Sequence, residues 1–116
     1  MAIPDFESIM LPLLKFLNDG KRHSVSEAEE HLSSLFNLSL EERTQKKSSG
    51  GETLFHNRLH WAKFYLKKAG LIENPPRLRF KITTRGTKTL GEKLDKIDTT
   101  YLMQFQEFLD FIGKKK

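Results

Sequence analysis

Apolar residues along the chain follow helical spacing almost throughout and give way to strict alternation once, between residues 70 and 83. Phe6, Ile9, Met10, Leu13 and Leu17 recur every three or four positions, which predicts a helix over 5–18. Pro12 falls inside that pattern and removes a backbone donor, so a kink or a late start is expected, and Asp19-Gly20 supplies a turn at the end. Ser26 and Glu29 stand at capping-box spacing, with Ala28, Leu32 and Leu35 on one face, placing a second helix at 27–36. Ser39 and Glu42 repeat the signal for a short turn of helix at 40–45, and Lys46 to Gly51 reads as a loop.

A third helix is predicted over 54–69, closed by Gly70, which suits the left-handed position just past a helix end. Leu71-Ile72-Glu73 begins a strand, Asn74-Pro75-Pro76 turns, and Arg77 to Thr83 returns, making a hairpin over 71–83. Thr83-Thr84 can cap a helix over 85–94, and a last helix over 99–112 carries Tyr101, Leu102, Phe105, Phe108, Leu109 and Ile112. The order helix, helix, helix, hairpin, helix predicts a mostly α (α+β) fold. Its layout is that of a winged helix-turn-helix with a two-stranded wing and an additional C-terminal helix. Residues 1–94 would form that domain, and 95–116 the final helix and the start of a linker.

On a helical wheel the third helix divides cleanly. Phe55, Leu59, Ala62, Leu66 and Ala69 form a core stripe, flanked by Trp61 and Tyr65. The opposite arc holds His56, Asn57, His60, Lys63, Phe64, Lys67 and Lys68; Phe64 either packs under the wing or touches a ligand. In the returning strand Arg77, Arg79 and Lys81 alternate with Leu78, Phe80 and Ile82, so cations take one face and hydrophobes the other.

Charge sharpens this picture. The net charge of +5 is unremarkable, but residues 46–91 hold eleven cations against Glu52 and Glu73, leaving the remainder acidic. A basic middle of this kind suits a polyanion such as DNA, with the helix in a major groove and wing cations on phosphates. A merely solvated basic face is the plainer alternative. The absence of cysteine excludes a disulfide framework and a cysteine zinc site, and favours a cytoplasmic setting. No apolar run is long enough to cross a membrane.

In these segments the chain resembles the N-terminal domain of Mrr-type, modification-dependent restriction endonucleases. The matching motifs are Met10-Leu11-Pro12-Leu13-Leu14 with Asp19-Gly20, and Asn57-Arg58 with Trp61-Ala62. They continue with Leu66-Lys67-Lys68-Ala69-Gly70-Leu71 and with Ile82-Thr83 followed by Gly86, in the same order over nearly the whole chain. The resemblance implies a winged-helix DNA-binding domain preceding a nuclease that cleaves methylated DNA. It places Asn57 and Arg58 at the opening of the recognition helix, and Trp61 and Ala62 at packing positions. That nuclease needs carboxylates and a lysine to hold Mg²⁺ and activate water. Here Pro4-Asp5 has no strand ending in a Glu-x-Lys partner, so no catalytic site and no cofactor is expected in this chain.

The expected DNA-binding residues are therefore His56, Asn57, Arg58, His60, Lys63, Lys67, Arg77, Arg79 and Lys81, and the expected partner is double-stranded DNA in the nucleoid. His56 and His60 have metal-ligand spacing but lack a third ligand in the sequence, so no metal is expected. Tyr101 to Ile112 would pack on the body, pair two subunits, or receive a nuclease domain. A free-standing transcription regulator and a protein-interaction winged helix are the two other functional readings.

Overall fold

The computed structural model describes residues 3–48, 50–73 and 79–113. α1 (Phe6–Phe16) opens on Asp5, whose side chain accepts a hydrogen bond from the Ser8 amide at 2.7 Å. It starts ahead of Pro12 and runs through it, so the late start is not seen, and a 3₁₀ turn over Leu17–Asp19 ends it at Gly20. Ile9, Met10, Leu13 and Leu14 are fully buried, and α1 lies along α4 (Leu54–Lys68), which makes this pair the centre of the core.

α2 (Val25–Leu35) begins two residues earlier than its sequence signal suggests. Ser24, not Ser26, is the cap: its Oγ accepts from the Glu27 amide, and Glu27 returns the bond to the Ser24 amide. Both serines have a glutamate three residues on. Ser24 wins because it closes a two-residue strand, β1 (His23–Ser24), and so already has the extended backbone a cap requires. α3 (Leu40–Thr44) is capped as expected by the Ser39–Glu42 box.

β2 (Ile72–Glu73) and β3 (Arg79–Ile82) pair antiparallel, and β1 adds to the other edge of β3. The sheet is thus three-stranded, in the order β1-β3-β2, rather than the isolated hairpin predicted. Two residues are too few to show alternation, which hid β1 from sequence reasoning. Within β3 the predicted alternation is present: Phe80 and Ile82 are buried, while Arg79 and Lys81 face outward. The predicted turn at Asn74-Pro75-Pro76, with Arg77 and Leu78, lies outside the described residues.

α5 (Thr84–Gly91) is capped by Thr83 and is shorter than the 85–94 predicted. The last predicted helix is two pieces, α6 (Thr99–Leu102) and α7 (Gln106–Ile112), with Phe105 extended between them. A single straight helix over 99–112 carries too many aromatics for one stripe. Breaking it at 103–105 lets Leu102 and Phe108 both reach full burial, with α7 against α4. The result is a mostly helical α+β domain. Among the described residues no helix is long and apolar enough to cross a membrane.

Candidate nucleic-acid interface

α4 supplies the largest polar face. The Thr53 hydroxyl caps it by accepting from the His56 amide at 3.1 Å, and Gly70, at φ +79°, ends it beyond Ala69. Phe55, Leu59, Ala62 and Leu66 are buried, so the wheel is oriented as the spacing implies. The outer arc then faces away from α1.

The predicted site residues are not equally placed on that arc. His60 and Lys67 are exposed, and Lys63 is half-buried with its ammonium 5.4 Å from the centre of the Phe80 ring. Burial, then the neighbouring charge of Lys67, pulls the Lys63 pKa below the usual lysine value. Lys63 therefore ties the arc of α4 to β3. Arg79 and Lys81 lie on the opposite, outward face of that strand from Phe80.

Arg58 is placed elsewhere. Its Nη1 donates to the carbonyls of Ile3 (2.9 Å) and Pro4 (3.2 Å), holding the segment ahead of α1. The family resemblance had put it at the opening of the reading helix, among the expected DNA contacts; these two carbonyl bonds turn it instead toward the segment ahead of α1. Arg77 lies outside the described residues.

Carboxylates from distant parts of the chain share the surface. His56 Nδ1 lies 2.7 Å from Glu29 of α2, and the Asn57 side-chain amide donates to Glu52 at 2.6 Å. Arg79 sits 3.5 Å from Glu27, and Lys81 3.5 Å from Glu73. The charge count over residues 46–91 missed Glu27 and Glu29, which α2 brings in. Since Glu27 closes the capping box of α2, its position beside Arg79 goes with the cap being Ser24.

Two aromatic expectations change. Phe64 packs edge-on against Phe111 of α7, with ring centres 5.2 Å apart, instead of under the hairpin. Lys68 sits over both rings, 5.2 and 5.4 Å from their centres, and joins the surface although it was not among the predicted contacts. Trp61, expected to pack, is 44% exposed and meets Phe64 and Tyr65 only edge-on. The i, i+4 histidines diverge: His56 turns to Glu29 and His60 to Phe64. Among the described residues no three His, Asp or Glu side chains gather as metal ligands.

A family model described as the Mrr N-terminal domain matches residues 6–92, from the start of α1 to just past α5, and so spans α4 and the whole sheet. No curated protein and no solved structure matches the chain.

Proposed function

Since the chain belongs to the Mrr N-terminal domain family, we propose that it is a winged-helix DNA-binding domain. In this reading it targets a restriction nuclease to modified, methylated DNA. The family ties the chain to restriction systems; the remainder rests on the arc. The observation that supports it most is the outer face of α4, where Lys67 is exposed and Lys63 and Lys68 are half-buried, with the Lys63 ammonium reaching the Phe80 ring of β3.

α4 enters the major groove, with His60 and Asn57 toward base edges and the lysines and β3 cations toward phosphates. Asn57 must leave Glu52 to read adenine, its carbonyl oxygen accepting from N6 and its NH2 donating to N7. Arg79 and Lys81 must exchange carboxylate for phosphate. Exposed ion pairs of this kind contribute only about 0–1 kcal/mol, so the exchange costs little. Cleavage and its Mg²⁺ belong to a separate nuclease domain, and the half-buried side of α7 is a surface on which that domain can dock.

Fluorescence anisotropy on methylated and unmethylated duplexes at several salt concentrations tests the reading. Each phosphate contact contributes about −0.9 to the slope of log affinity against log salt, so Arg79→Ala with Lys81→Ala should flatten it by about 2. Asn57→Ala should leave the slope alone and cost about 1–3 kcal/mol of discrimination between preferred and unrelated sites. The interleaved carboxylates favour one competitor, a protein-interaction domain. Absence of duplex binding even at low salt would decide for it.

A further inference from the structure

The outer face of α4 has two edges. Lys63 stands on one, over Phe80 of β3, and Trp61 on the other, about 160° around the helix. Along the Trp61 edge the rings are continuous. Trp61 meets His60, Phe64 and Tyr65 with centres 6.1, 5.9 and 6.3 Å away, and Phe111 of α7 backs Phe64 at 5.2 Å. The three neighbours stand at 75°, 82° and 85° to the indole, so none of them stacks flat on it, and Trp61 is left 44% exposed. Leaving so large a ring in water forgoes the burial that aromatic side chains ordinarily contribute, and marks a contact surface.

Cations accompany these rings. Lys68 holds its ammonium 5.2 Å from the centre of Phe64 and 5.4 Å from that of Phe111, and the exposed Lys67 precedes it. α4 contains no acidic residue, and neither lysine has a carboxylate partner among the described residues, unlike Arg79 and Lys81. The centres of protein interfaces are depleted in lysine. Open rings beside uncompensated cations are instead the means by which proteins hold single strands, bases stacking on the rings and phosphates meeting the cations.

We infer that the Trp61 edge of α4 binds an unpaired nucleobase, which stacks on the indole while Lys67 and Lys68 take the phosphates beside it. The inference rests on the reading of α4 as a face that meets DNA, and adds a second ligand class to that face. A paired base offers the groove only its edge, because its neighbours in the stack cover its faces. The flat face that an indole can use is open in a single strand, or at a base bulged out of a duplex.

Trp61 is the one tryptophan of the chain, so its fluorescence reports the contact directly. The test is a titration at low salt with three DNAs: a single-stranded oligothymidylate, a fully paired duplex, and the same duplex carrying one bulged base. The paired duplex should bind with little quenching of Trp61. Quenching by the single strand and the bulged duplex assigns the edge to any unpaired base; quenching by the bulged duplex alone assigns it to a base extruded from a duplex. By anisotropy of labelled DNA, Trp61→Ala should weaken binding of the quenching DNA about 5- to 150-fold, the worth of one stacked base, and Trp61→Phe should recover part of the loss. Paired-duplex affinity and far-UV circular dichroism should stay as in the parent. Lys68→Gln should flatten the salt slope on the single strand by about 0.7. Paired-duplex binding together with unpaired-base affinity indifferent to Trp61→Ala, or equal quenching by the paired and bulged duplexes, overturns this inference and leaves the duplex reading standing. Failure to bind any of the three DNAs overturns both. Emission that shifts with protein concentration in the absence of DNA would make the edge a protein contact and overturn the inference as well.

Discussion

Gly86→Ala is expected to loosen the joint that sets β3 beside α4. Gly86 is buried in the first turn of α5, and its amide donates to the Thr83 hydroxyl. A methyl placed there meets the Leu71 carbonyl oxygen inside van der Waals contact and stands 2.6 Å from Ile82 Cγ1. The Leu71 carbonyl is not free to move, since it accepts from the Thr83 amide at 3.0 Å where the chain leaves β3. Overpacking against backbone belongs at the upper end of the usual range, about 3 kcal/mol. Stretching the Leu71–Thr83 bond adds about 1 kcal/mol. Alanine's better helix propensity returns about 1 kcal/mol. The net expectation is a loss of about 3 kcal/mol, lowering the thermal midpoint by about 12 °C for a domain of this size. Urea unfolding followed by far-UV circular dichroism measures it, with Gly91→Ala as control. Gly91 also lies in α5, but nothing comes within 4 Å of an added Cβ there, so that variant should be neutral or slightly stabilised. Gly86→Ala within about 0.5 kcal/mol of the parent, the range of ordinary surface changes, would show the joint to be soft and refute the packing argument.

Four further outcomes follow from single residues. Leu66→Ala should cost about 2–5 kcal/mol as a core truncation. Lys67→Ala should stay within about 0.5 kcal/mol in stability, so equal urea midpoints would mean the wheel is misoriented. Arg58→Ala should lower stability by about 1–2 kcal/mol through its two carbonyl contacts while leaving the salt dependence of duplex binding unchanged; a flattened slope would return Arg58 to the interface. Backbone hydrogen bonds from Ser24, Ser39 and Ser8 hold Glu27, Glu42 and Asp5 below their ordinary pKa values. Their contribution is therefore complete above the unfolded values, near pH 4, and is lost as pH falls through the lower folded ones. Glu27→Gln should show a smaller fall in thermal midpoint on acidification than the parent, and an identical acid profile would remove Glu27 from this account.

What the sequence determined by itself is whatever closes within one turn of chain. The core stripe of α4 follows from spacing, as does the outward face of Arg79 and Lys81. The Ser39–Glu42 box, the Thr83 cap and Gly70 at φ +79° are likewise satisfied by neighbours no more than four residues away. Where two local solutions were equally good, tertiary structure chose. Ser24 and Ser26 offer the same cap, and only the pairing of His23-Ser24 with Arg79-Phe80 separates them. The final helix is broken because one straight rod cannot turn Leu102 and Phe108 into the same core. The candidate interface depended most on contacts of this distant kind. Glu29 reaches His56 across 27 residues, Glu27 reaches Arg79 across 52, and Arg58 turns to Ile3 across 55. Periodicity reports which face of an element is polar. Which charges meet on that face is settled only when the core, burying α1 against α4, fixes how the elements lie together.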